Sequence, residues 1–86
     1  RESSMELQDE ILEMIIDKAA QIFKKAPAEL NADTHFVNDL KAKSVNVVQI
    51  ITMLEAEYDV QVNYMQVKRK ETMGEVAEYV AELCGG

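Results

Sequence analysis

Residues 36–58 read FVNDLKAKSVNVVQIITMLEAEY and join a polar loop to an amphipathic segment. Ser44 stands where the loop ends and the periodic apolar pattern begins. From residue 44 to residue 58, apolar side chains recur every three or four positions, which predicts a helix with one buried face. This buried stripe consists of Val47, Ile50, Ile51, Leu54 and Tyr58. A second stripe, which adjoins Ser44 on the helical wheel, consists of Val45, Val48 and Thr52.

Three further segments have helical patterns. Residues 6–24 place apolar and acidic side chains on opposite sides, and Pro27 ends this helix because the residue before a proline avoids the α region. Residues 64–70 form a weak and short helical segment. Thr72 and Glu75 have the spacing of a capping box and begin the last helix.

The loop of residues 27–43 is unusually long for a compact domain, and Phe36 and Leu40 are spaced to anchor it on a core. We therefore expect an all-α, four-helix bundle of three main helices and one short helix, with this loop between helices one and two. The predicted core consists of Ile11, Ile15, Ile22, Val47, Ile50, Leu54, Val76 and Val80.

The length of 86 residues allows one small domain, which we place at residues 5–86. Residues 1–4, ahead of Met5, are typical of a cloning remnant. The net charge of −7 disfavours nucleic acid and anionic membranes, and it favours basic protein partners. The chain has no apolar run long enough to span a membrane and no secretory signal pattern, so we expect it in the cytoplasm. We also expect it to be a monomer.

Enzyme and metal signatures are missing from the sequence. His35 is the single histidine, Cys84 the single cysteine, and the three glycines form no phosphate-binding loop. Ser44 has two interpretations that the pattern leaves open. It is either a plain helix cap, worth about 1 kcal/mol, or an exposed hydroxyl that carries a phosphorylated group. A phosphodiester is favoured at a helix N-terminus, and Lys41 and Lys43 add positive charge there.

The chain resembles the acyl carrier protein family. The matching residues are Phe36, then Asp39 and Leu40, then Ser44 at the start of a helix. The end of helix two with the following loop, residues 54–62, and the last helix also resemble the family. The resemblance covers roughly residues 6–83.

The resemblance implies a non-enzymatic carrier with 4'-phosphopantetheine on Ser44. Acyl groups would be held on that arm as thioesters, in fatty acid, polyketide or related lipid biosynthesis. The implied partners are a phosphopantetheinyl transferase and acyl-transferring or condensing enzymes, which read helix two and the preceding loop. In this chain that docking face would consist of Lys41, Lys43, Val45, Asn46, Val48, Gln49 and Thr52.

The family motif Asp-Ser-Leu is replaced here by Lys43, Ser44 and Val45. The substituted lysine keeps a second interpretation open, in which the domain is never modified. It would then act as a carrier-like subunit that binds other proteins through a helix face.

Overall fold

The computed structural model describes residues 6–85, so the remnant predicted at residues 1–4 lies outside the described residues. The described chain is all-α, as predicted, with a long connection between the first two helices. The elements in order are α1 (Leu7–Phe23), a 3-10 turn (Pro27–Glu29), α2 (Ser44–Tyr58), α3 (Tyr64–Arg69) and α4 (Met73–Leu83).

The first helix ends as the sequence indicates, shortly before the proline. Lys24 closes α1 in the left-handed conformation, with φ 57°. The backbone N–H of Lys24 donates to the carbonyl of Ala20, so one free carbonyl at the helix end is satisfied. Asp59 closes α2 in the same way, with φ 53°. These two ends give the chain sharp turns into the loops that follow.

The core lies where α1 packs against α4 and α2, and α2 also contacts α3. Six of the eight predicted core residues are fully buried, while Ile22 and Val47 are only partly buried at its edge. The largest side chains with almost no exposed surface are Ile11, Ile15, Ile50, Leu54, Met73, Val76 and Val80.

Two buried side chains anchor the long loop on this core, as the sequence predicted. Phe36 is 6% exposed and Leu40 is 7% exposed. Thr34, also buried, accepts the backbone N–H of Asn31 on its hydroxyl oxygen at 2.9 Å. The loop therefore packs as part of the domain and holds the start of α2 in a defined place.

The loop is also joined to the first turn of α4 by backbone hydrogen bonds. Met73 donates its N–H to the carbonyl of Thr34 at 3.0 Å, and Gly74 donates to Ala32 at 2.9 Å. These bonds satisfy donors that a helix N-terminus otherwise leaves free. A Cβ at position 74 would lie 3.0 Å from both the Cβ and the carbonyl oxygen of Ala32, closer than ordinary van der Waals contact, so Ala32 would have to shift to admit a larger residue.

Within residues 6–85, none of the helices has the length and apolar character needed to cross a membrane.

Candidate functional site

Ser44 is exposed and is the first residue of α2. The interpretation of Ser44 as a plain helix cap is wrong, because the cap position is one residue earlier, at Lys43. There the side-chain Oδ1 of Asn46 accepts the backbone N–H of Lys43 at 2.8 Å. The N-terminus of α2 is thus capped by Asn46, a residue of the helix itself, and the Ser44 hydroxyl is not needed for capping.

The Ser44 hydroxyl instead meets a side chain from α3. The Tyr64 O–H donates to Ser44 Oγ at 3.0 Å. Tyr64 is half-buried and opens α3, twenty positions further along the chain. The sequence analysis missed this contact, and no local signal in residues 64–70 could have revealed it, because it depends on how α3 packs on α2.

The residues just before Tyr64 are held from both neighbouring helices. The backbone N–H of Val62 donates to Glu55 Oε2 at 2.9 Å, which ties it to α2. The backbone N–H of Asn63 donates to the Tyr79 hydroxyl at 3.2 Å, which ties it to α4. The backbone is therefore held by hydrogen bonds at the two residues that precede Tyr64.

The loop that leads into α2 is a compact turn. Lys41 donates its backbone N–H to the carbonyl of Val37 at 3.0 Å, and Ala42 donates to Phe36 at 2.8 Å. Lys41 itself is left-handed, with φ 56°. After this reversal Ala42 still packs partly against the core, whereas Lys43 and Ser44 are exposed.

The predicted docking face is largely at the surface. Val45 and Val48 are 61% and 47% exposed, although they are apolar. The remaining exposed members are Lys41, Lys43, Gln49 and Thr52. Asn46 is half-buried, and its side chain helps to cap the helix, so it has a structural role as well.

Basic residues predominate on this face and on α3, which packs against α2. Residues 40–54 and 60–70 contain no aspartate or glutamate and hold five of the nine basic residues, in a chain whose net charge is −7. Lys41, Lys43, Lys68 and Arg69 are exposed and make no ion pair within residues 6–85. Lys70 differs, since its Nζ lies 5.8 Å from the ring centre of Tyr79, within the range of a cation–π contact.

A small apolar cavity lies between the loop, α2 and α3. Its volume is about 50 Å³, and its apolar lining is supplied by Phe36, Val37, Val47, Ile50 and Val67. Pockets that hold small ligands usually measure about 300–1,000 Å³, so this cavity holds a long chain only if the surrounding helices move apart. Since Val47 lies one turn after Ser44, the cavity is close to the serine along α2.

No group of three or more histidine, cysteine, aspartate or glutamate side chains in the described part of the chain is arranged to hold a metal ion.

Residues 13–80 match the family model described as "Phosphopantetheine attachment site". The match includes the long loop, Ser44, all of α2 and α3, and most of α1 and α4. A helical carrier domain of this class attaches its cofactor covalently, which suits the exposed serine described above. The chain belongs to the acyl carrier protein family.

Similar proteins of known family support this assignment. The chain is 32% identical over 75 residues to an acyl carrier protein of Amoebophilus asiaticus, covering 87% of this chain and 89% of that protein. It is 28% identical over 78 residues to an acyl carrier protein of Rickettsia typhi, covering 91% of each. Acyl carrier proteins are non-catalytic carriers, so the prediction that the chain is not an enzyme is confirmed.

Proposed function

We propose that Ser44 carries a 4'-phosphopantetheine arm, on which the protein holds acyl groups as thioesters. The observation that carries this proposal is the exposed serine hydroxyl at the start of α2, inside the matched residues 13–80. An anchored loop precedes it, and two exposed valines, Val45 and Val48, follow it on the same helix. A hydroxyl held on a rigid element and open to solvent suits an incoming phosphoryl group.

Attachment would be a phosphoryl transfer from coenzyme A. The Ser44 Oγ gives its proton to a base of the transferase and forms a new O–P bond. The pyrophosphate bond of coenzyme A breaks, and adenosine 3',5'-bisphosphate leaves. The resulting phosphodiester bears one negative charge, which is favoured at a helix N-terminus by the dipole and by free N–H groups. Lys41 and Lys43 bring further positive charge to this position.

The carrier would work by presentation rather than by catalysis. A flexible arm keeps the thioester close to a docked enzyme, so delivery has a high effective concentration. The cavity lined by Phe36, Val47, Ile50 and Val67 is the natural place for an acyl chain between deliveries, after the helices around it open. We place this carriage in fatty acid, polyketide or related lipid biosynthesis, in the cytoplasm.

The docking face around Ser44 would bind a partner with an acidic surface. The net charge of the whole chain predicted basic partners, but the charge nearest the serine has the opposite sign. Lys41 and Lys43 belong to the face itself, and Lys68 lines the cavity beside Val47 of α2; all three are exposed and make no ion pair within residues 6–85. Charges placed this way raise the association rate with acidic surfaces and lower it with basic ones. Such charges therefore favour partners that differ from the basic ones predicted by the net charge of the chain.

Intact mass spectrometry tests the proposal. The chain is incubated with coenzyme A and a phosphopantetheinyl transferase, preferably from the same source, with Ser44→Ala as the control. We expect the mass gain of one phosphopantetheine on the wild type and none on the variant. If no transferase modifies the chain, and protein purified from its native host also lacks the arm, the alternative of an unmodified carrier-like subunit replaces this proposal.

A further inference from the structure

We infer that Tyr64 is a positioning residue of the attachment site: its hydroxyl orients the Ser44 oxygen before modification and donates to the phosphodiester afterwards. The inference rests on the proposed function of Ser44. The inference goes beyond that function because it assigns a role to a side chain of α3. The observation behind it is the hydrogen bond of 3.0 Å from the Tyr64 O–H to Ser44 Oγ.

The direction of this bond matters for the reaction. Because Tyr64 donates, it occupies one lone pair of Oγ and leaves the proton of Ser44 free to be given away. A second lone pair then remains for the bond to phosphorus. The tyrosine thus limits rotation of the serine hydroxyl and leaves its proton and its attacking lone pair available on an exposed residue, where a transferase can approach.

The hydrogen bond donated by the Tyr64 hydroxyl becomes stronger as the reaction proceeds. In phosphoryl transfer, negative charge spreads over the oxygens bonded to phosphorus. These oxygens lie one bond beyond the new Oγ–P bond, so they come within reach of a hydroxyl that already contacts Oγ. A hydrogen bond to a charged acceptor is about twice as strong as a bond to a neutral one. The Tyr64 contact is therefore stronger in the transition state and the product than in the unmodified protein.

The position of Tyr64 is fixed by hydrogen bonds of the two residues that precede it in the chain. Val62 and Asn63 are hydrogen-bonded to Glu55 on α2 and to Tyr79 on α4. A donor held in place in advance loses little conformational entropy when it binds. Residues 60–70 also contain no carboxylate, so α3 presents no negative charge of its own to the phosphodiester.

The test compares Tyr64→Phe with the wild type and with Tyr58→Phe as a matched control. Each variant loses one hydroxyl from a half-buried tyrosine, but the Tyr58 hydroxyl contacts Met14 Sδ at 3.3 Å, at the other end of α2. Both variants keep the ring, and circular dichroism checks that both remain folded. Steady-state modification by a phosphopantetheinyl transferase with coenzyme A gives kcat and KM for each protein. Phosphorus NMR of the modified proteins then reports on the phosphodiester directly.

We expect Tyr64→Phe to lower kcat by about three- to tenfold, the range for loss of one hydrogen bond, with little change in KM for the carrier. The phosphorus resonance of modified Tyr64→Phe should also move from its wild-type position, while that of Tyr58→Phe should not. Loss of the hydrogen bond that orients the Ser44 oxygen lowers kcat, whereas weaker docking of the carrier on the transferase raises KM.

Equal kcat values and equal phosphorus resonances in the wild type and Tyr64→Phe would overturn the inference, as would faster modification of the variant. Faster modification would mean that the tyrosine masks the serine. Both results leave the proposed function intact, because the wild type is still modified. If the wild type takes up no phosphopantetheine at all, the proposed function fails, and the role of Tyr64 fails with it.

Discussion

Replacing Leu54 with alanine should remove a large part of the stability of this domain. Leu54 is 0% exposed and belongs to the same core cluster as Ile11, Ile15 and Val80, which are also 0% exposed. Leu→Ala changes in cores cost about 2–5 kcal/mol, and the cost is higher where neighbours cannot close the gap. Because helices α1, α2 and α4 all contribute to this cluster, we expect a loss of about 3–5 kcal/mol.

This loss is large compared with the total. At about 0.05–0.15 kcal/mol per residue, a domain of 86 residues has roughly 4–13 kcal/mol of stability. Each kcal/mol lowers Tm by about 4–8 °C in domains of this size, so a drop of at least about 12 °C is expected.

Urea unfolding followed by circular dichroism measures the free energy of unfolding, and a thermal melt measures Tm. Val45→Ala is the matched control, since Val45 is on the same helix but 61% exposed, and its loss should stay within about 0.5 kcal/mol. The reasoning about the core is refuted if Leu54→Ala loses less than about 1 kcal/mol, or if the two variants lose equal amounts.

Three further predictions concern the loop, the serine and acid stability. Gly74→Ala should lower the free energy of unfolding by about 1–2 kcal/mol, because the new Cβ would lie 3.0 Å from Ala32 and overpacking outweighs the gain in helix propensity. A variant that urea unfolding shows to be more stable than the wild type would contradict this. Lys43→Asp, which introduces the aspartate of the family motif before the serine, should speed modification by a standard transferase. An unchanged initial rate, measured by intact mass, would count against a role of the Lys43 charge in partner choice. Backbone N–H groups of Glu71 and Thr72 hold the pKa of Glu75 below its ordinary value of 4.5. Its carboxylate therefore stabilises the fold above pH 4.5, and this contribution is lost as the pH falls through the lower, folded-state pKa. Glu75→Gln should accordingly lose less stability on acidification than the wild type, and parallel profiles of urea midpoint against pH would show the explanation to be wrong.

The helices were predictable because their signals are local. The stretch from Ser44 to Tyr58 has both an apolar period and a polar loop before it, and α2 has these bounds in the structure. Pro27 placed the end of α1 to within one residue. The anchoring of the loop was also predictable, because Phe36 and Leu40 are large apolar side chains in a segment rich in turn-forming polar residues, and both are buried.

Features that depend on distant parts of the chain were not predictable. Serine is a favoured helix cap, but the structure gives that position to Lys43 and the capping acceptor to Asn46. The hydroxyl of Ser44 is then free to meet Tyr64, a contact that no periodicity encodes. The cavity and the backbone bonds between the loop and α4 have the same origin, because each forms only when helices far apart in sequence pack together.

The hydrogen bonds from Met73 and Gly74 to the loop set an order of events during synthesis. A ribosome releases the chain from its N-terminus, so Ser44 emerges well before α4, whose first turn holds the loop in place. A nascent chain that ends before residue 73 contains the serine but lacks both donors. The setting of Ser44 is therefore complete only when the last helix has docked, and an enzyme that recognises this setting distinguishes finished molecules from unfinished ones.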